Sequence, residues 1–165
     1  MTKMMFIRPP FKGMGRYVPP HLGIATLYNY LHGKFDWIEF SLVDALADAL
    51  DEEQIVKAIN YSRPDILAIT IKTMQVKQAK EIIERVKDIY NPLIICGGNH
   101  VSVSPQEFVR CGADYAIVGE GEEAIEKIIQ HEFGHYEESL DDCVNICTKN
   151  NVEPVSYTHL RAHET

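Results

Sequence analysis

Short apolar runs with strand character alternate with helix-like segments from Lys3 to about His131. A chain that returns through a helix after every strand builds a parallel sheet with helices on both faces. The clearest run is Ile66 to Ile71, which is continuously apolar, as expected of a strand covered on both sides. Lys3 to Arg8, Trp37 to Val43, Leu93 to Cys96 and Tyr115 to Val118 read as the other strands. Between them, His21 to His32 carries a helical apolar stripe. Asp51 to Asn60 has an N-capping aspartate and places Ile55, Val56 and Ile59 on one face. Thr73 to Gln78 opens a helix that runs to about Ile89 and ends before Asn91-Pro92. Pro105 to Cys111 is a short helix behind the possible N-cap Ser104, with Gly112 as its stop, and Glu122 begins the last helix. The expected fold is α/β: a flavodoxin-like (Rossmann-like), doubly wound, five-stranded parallel sheet of order 2-1-3-4-5. From Phe133 the pattern weakens. Cys143 to Thr148, the turn-like Lys149 to Asn151 and Val152 to Pro154 read as a C-terminal hairpin or connector.

In such a sheet, ligands bind outside the carboxyl ends of the strands. The loops on that edge are Arg8–His21, Thr70–Met74, Gly97–Ser104 and Gly119–Glu122. Gly97-Gly98 lets backbone approach a bulky ligand where a Cβ would collide; a plain turn is the alternative. The Arg8–Pro20 loop holds two Pro-Pro pairs, which favour a shaped wall over a mobile loop. Arg8, Lys12 and Arg16 make it locally basic, which suits an anionic ligand group or simply solvated charge. Glu120 and Glu122 stand at a helix start, where the dipole explains them without catalysis. His21 reads as a cap-region residue, and His100 either touches ligand or makes only a structural hydrogen bond.

With 165 residues, 45% hydrophobic and 24% charged, the chain is long enough for one domain with a real core. Its net charge of −8 argues against general nucleic-acid binding and gives no support for an anionic membrane surface. No apolar run reaches the roughly 18 to 20 residues of a membrane span, and the N-terminus lacks a signal-peptide pattern. A cytoplasmic protein with reduced cysteines is expected. Cys143-x3-Cys147 could face one side of a strand, but without a further pair nearby it reads as ordinary buried thiols. Val155 to Thr165 resembles a translated sequencing-adaptor artefact and is set apart from the fold. The expected organisation is therefore a ligand-binding domain over 1–132, a connector over 133–154 leading to a missing domain, and a non-native tail over 155–165.

Four pieces occur in one order: Pro19-Pro20-His-Leu-Gly23; Asp65-Ile-Leu-Ala-Ile-Thr70; Gly97-Gly98-Asn-His-Val-Ser-Val-Ser-Pro105; and Gly112-Ala-Asp-Tyr-Ala-Ile-Val-Gly-Glu-Gly-Glu122. As a set they resemble the N-terminal cobalamin-binding domain of cobalamin-dependent radical S-adenosylmethionine enzymes, over about Met1 to Gln130. The resemblance implies cobalamin across the carboxyl edge, with its nucleotide tail entering near the switch point. Carried over residue by residue, it implies cofactor contacts at Thr70 and Thr73, at Gly97 and Gly98, at His100, Val101 and Ser102, and at Gly119, Glu120 and Gly121. It implies no catalytic and no metal-ligating residue in this chain.

Two departures narrow it. The Asp-x-His-x-x-Gly motif of methyl-carrier corrinoid proteins is absent after the first strand, which argues against histidine ligation of cobalt from below. No Cys-x-x-x-Cys-x-x-Cys is present, so the 4Fe-4S cluster and S-adenosylmethionine of the parent enzyme are expected on a domain this fragment lacks. The function expected is a non-catalytic cobalamin module of an enzyme performing methyl transfer or related radical chemistry on an unreactive carbon. The alternatives are a stand-alone corrinoid carrier and a non-catalytic flavodoxin-like module for a nucleotide or protein partner. The second lacks Gly-x-Gly-x-x-Gly, because Val18 occupies the third glycine position after Gly13 and Gly15.

Overall fold

Alternate residues of a strand serve opposite faces, and the inner strands are apolar throughout 4–7, 66–69 and 93–96, so the sheet must be covered twice. The structure is a computed structural model that describes residues 1–13, 18–134 and 137–151. Its strands are β1 (Thr2–Arg8), β2 (Ile38–Asp44), β3 (Ile66–Thr70), β4 (Leu93–Gly97), β5 (Tyr115–Ile117) and β6 (Ile146–Cys147). Its α-helices are α1 (Leu22–His32), α2 (Glu52–Ser62), α3 (Val76–Ile89), α4 (Asn99–Val103), α5 (Pro105–Cys111) and α6 (Glu122–Glu132). The sheet order is β2-β1-β3-β4-β5-β6.

The first five strands are parallel and in the expected order. The sheet has six strands, however, not the five anticipated. β6 pairs antiparallel with β5, matching Ala116 with Cys147 and Ile117 with Ile146. It closes the β5 edge with a strand of two residues, and burial of both its side chains holds it there. The anticipated second hairpin arm, Val152 to Pro154, lies outside the described residues, as do Arg16 and the 155–165 tail. Cys143 and Cys147 do not share a side. Cys143 packs against the core under α1 and α6, and Cys147 belongs to the opposite core. Burial pushes the Cys96 and Cys147 thiols up, so neither is a ready nucleophile.

On one face, Met5, Ile7, Leu67, Ile69, Ile94 and Cys96 pack under α2, α3 and α5. On the other, Met4, Phe6, Ile66, Ala68, Ile95 and Ile117 meet Ile24 and Leu31 of α1 and Ile125, Ile128 and Ile129 of α6. Asp51 caps α2 as expected. Its carboxylate accepts the Gln54 N–H at 2.8 Å, and the Gln54 side chain accepts the Asp51 N–H at 2.9 Å. Two local expectations need correction. Asn99 to Val103 is a five-residue helix rather than a loop; it is too short to show a period. Ser104 makes no side-chain cap, although Pro105 does take the first helical turn of α5.

Candidate functional site

The carboxyl edge opens into a cleft of about 490 Å³ between the sheet and the amino ends of α1 and α6. Strand register explains its shape. Phe6, Ala68 and Ile95 stand side by side on β1, β3 and β4, on the face toward α1 and α6. Ala68 is thus a notch between two large side chains. One step further along the strands, Thr70 is paired with Gly97, which has no side chain. Leu27 of α1 and Ile125 of α6 form the facing wall, and Ile117 closes the β5 side.

The glycine pair divides into two roles. A Cβ built on Gly97 meets nothing within 4 Å, so the missing side chain leaves open cleft. A Cβ on Gly98 would lie 2.8 Å from both the N and the O of Ile71, and Gly98 has φ +108°. Gly98 is therefore a turn residue, forced by the close passage of β3. Gly119 also has nothing within 4 Å of an added Cβ, but its φ of +78° makes it a turn residue as well.

Thr70, Gly97, Gly98, Gly119, Glu120 and Gly121 line the cleft. Thr73, His100, Val101 and Ser102 lie outside its lining. His100 is held from both ring nitrogens, Nδ1 by Thr73 Oγ1 at 3.2 Å and Nε2 by Glu107 at 3.2 Å, with Phe108 edge-on to its ring. Val101 is fully buried in the core under α2, α3 and α5. Ser102 acts through its neighbours: its hydroxyl donates to the Gly98 carbonyl at 3.2 Å and accepts the Gly119 N–H at 2.9 Å. It ties the two glycine turns together.

The long loop is shaped from both ends. Arg8 is buried and donates to the Pro19 carbonyl at 2.9 Å and to Asp44 at 3.2 Å. Gln75, also buried, donates to the Pro9 carbonyl at 2.6 Å. Arg8 therefore lines the cleft as a paired charge, with Asp44 as its partner. Lys72 is a second cation at the cleft, with no ion-pair partner among the described residues. Nothing in the sequence singled it out, nor the notch at Ala68.

His21 caps α1: its Nδ1 accepts the Ile24 N–H at 3.1 Å. The ring proton therefore sits on Nε2, which lies 3.3 Å from Thr70 Oγ1. Partial burial, then the charges of Arg8 and Lys72, hold His21 below its ordinary value of 6.5. The unfolded chain thus binds this proton more readily than the folded one. The stabilisation is complete above pH 6.5 and is lost as pH falls from there toward the lowered folded value. His21→Asn keeps an acceptor for the cap and removes the titration. Urea denaturation at a series of pH values is expected to show a shallower stability loss below pH 6.5 for the variant than for the parent; equal slopes would count against the neutral cap.

A doubly wound sheet whose carboxyl edge carries this cleft defines a small-molecule-binding α/β domain. The chain belongs to the B12-binding domain family, whose family model matches residues 15–129. It is 30% identical over 137 residues to an uncharacterized methyltransferase of Pyrococcus horikoshii, covering 78% of this chain and 29% of that protein. It is 23% identical over 134 residues to an anaerobic magnesium-protoporphyrin IX monomethyl ester cyclase of Cereibacter sphaeroides, covering 78% of this chain and 22% of that protein. Among solved structures, the radical S-adenosylmethionine methyltransferase TsrM of Kitasatospora setae, with cobalamin and a 4Fe-4S cluster bound, aligns with a TM-score of 0.72 at 15% identity, over 90% of this chain and 27% of that one. The cobalamin-dependent S-adenosylmethionine radical enzyme OxsB, with aqua-cobalamin and S-adenosylmethionine bound, aligns with a TM-score of 0.70 at 22% identity, over 88% of this chain and 20% of that one. These likenesses show the fold. The chain spans less than a third of the length of each protein named.

Proposed function

We propose that this chain is the cobalamin-holding module of a radical S-adenosylmethionine enzyme that transfers a methyl group or performs related radical chemistry on an unreactive carbon. One observation carries the reading within the family: the missing side chain at Gly97 leaves open space beside the Ala68 notch, in a cleft of about 490 Å³ where the nucleotide tail of a corrinoid would enter. Thr70, Gly97, Gly98, Gly119, Glu120 and Gly121 would border the cofactor. Ser102 would hold two of these glycines in place, and Thr73, His100 and Val101 would brace the same turn from outside the cleft. Cobalamin would supply the reactive cobalt, and this chain would bind and orient it.

The histidines favour a module over a stand-alone carrier. His21 spends its free lone pair on the α1 cap, and both ring nitrogens of His100 are engaged. Among the described residues no group of three or more His, Cys, Asp or Glu side chains could hold a metal ion. In this proposal the 4Fe-4S cluster and S-adenosylmethionine belong to a radical domain elsewhere in the parent protein. Residues 1–132 form the cobalamin module, 133–154 connect it to that domain, and 155–165 are not native. Among the described residues no helix is long and apolar enough to cross a membrane. We place the protein in the cytoplasm without nucleic-acid partners, a setting supported by its free cysteines and acidic charge.

The test is gel filtration of the chain with hydroxocobalamin and, separately, with cobinamide, which lacks the nucleotide tail. Co-elution of cobalamin with clearly weaker retention of cobinamide is expected. Equal retention of the two would remove the tail from the cleft.

A further inference from the structure

We propose that the cleft selects among corrinoids by their lower base, favouring an apolar aryl base such as 5,6-dimethylbenzimidazole over a purine such as adenine. The inference rests on the preceding reading that the tail enters the cleft.

The floor is Phe6, Ala68 and Ile95, with Ile117 beside it and Leu27 and Ile125 opposite. None offers a polar side-chain atom. Nor does the backbone beneath. β1, β3 and β4 each have a strand on both sides, so their N–H and C=O groups are spent on the ladders that pair Phe6 with Leu42 and Ala68, and Ala68 with Ile95. Of the polar side chains that line the cleft, Arg8, His21 and Thr70 are committed to protein partners. Thr70 Oγ1 meets His21, and the Arg8 guanidinium meets Pro19 and Asp44. Lys72, Asn99 and Glu120 are exposed to solvent, and Glu122 is half-buried beside them.

A base lodged at the Ala68 notch therefore meets carbon from the sheet floor beneath it and from Leu27 and Ile125 opposite. Dimethylbenzimidazole presents methyl groups and aromatic edges there. Adenine presents an exocyclic amine and ring nitrogens that leave water without gaining a partner. Discrimination by such a pocket is limited because it offers no competing hydrogen bond, and about ten- to a hundredfold is the expected range.

The experiment is competition binding to the full chain. Cobalamin, its adenine-bearing counterpart, a phenolic-base cobamide and tail-less cobinamide each displace a labelled cobalamin. Cobalamin and the phenolic cobamide are expected to bind within a few-fold of each other, and the adenine form about ten- to a hundredfold more weakly. Ala68→Ser places a hydroxyl on the floor and is expected to narrow that gap in a chain that still folds. Equal affinity for the adenine and benzimidazole forms, with cobinamide weaker, overturns the selectivity and leaves the tail-in-cleft reading standing. Binding of cobinamide as tight as cobalamin overturns both. Absence of any corrinoid binding by a folded sample also overturns both.

Discussion

Gly97→Val is expected to leave the protein folded and to weaken cobalamin binding by about ten- to a hundredfold, the equivalent of overpacking a tight site by roughly 1–3 kcal/mol. Gly97 ends β4, where valine suits the extended backbone, and an added Cβ would touch nothing within 4 Å. The fold therefore has little to lose. The open space is what the ligand needs, because Gly97 stands directly above the Ile95 row and diagonally above the Ala68 notch. Gly97→Ala should fall between the parent and the valine variant. The measurement is equilibrium binding of hydroxocobalamin by each variant, beside a urea melt. Unchanged affinity in Gly97→Val would mean that the tail does not pass this point.

Gly98→Ala, one residue on, is expected to do the reverse and damage the fold itself. A φ of +108° is one that side-chain-bearing residues rarely adopt, and the new Cβ would press on the Ile71 N and O at 2.8 Å. Those atoms cannot easily yield. Ile71 N–H donates to the Gly97 carbonyl at 2.8 Å, and the Ile71 carbonyl accepts the His100 N–H at 3.2 Å. Strained backbone and overpacking together should destabilise the protein by about 3 kcal/mol. Chemical denaturation reads this directly. A loss below about 1 kcal/mol would show that the turn relaxes around the methyl group and is not fixed by Ile71.

These two adjacent glycines illustrate what a sequence conceals. Gly97-Gly98 is conspicuous as a pair, and its place at the end of an apolar run points to the ligand edge. Only the position of Ile71 separates the residue that leaves room from the residue that makes the turn. The sheet order was legible because long apolar runs and helical stripes alternate, and that pattern admits few connections. β6 was legible only as part of a hairpin over Cys143 to Thr148, and its place beside β5 was not, since two residues carry no period. Their place comes from burial against β5. Ala68 gave no signal either. An alanine in an apolar strand is unremarkable until register places it between Phe6 and Ile95. Arg8 read as either a ligand-facing or a solvated charge because Asp44, its partner, sits at the end of a strand distant in sequence. The same limit applies to His100, whose companions Thr73 and Glu107 arrive from separate elements.

The most direct test of the cobalamin reading is the visible spectrum of hydroxocobalamin bound to the purified chain at neutral pH, recorded on the co-eluting fraction. With the tail drawn into the cleft and the ring nitrogens of His21 and His100 engaged, the expected spectrum is that of cobalamin whose own base has left the cobalt and whose lower face carries no nitrogen ligand. A spectrum with the benzimidazole still coordinated, or failure of a folded sample to retain cobalamin, would contradict it.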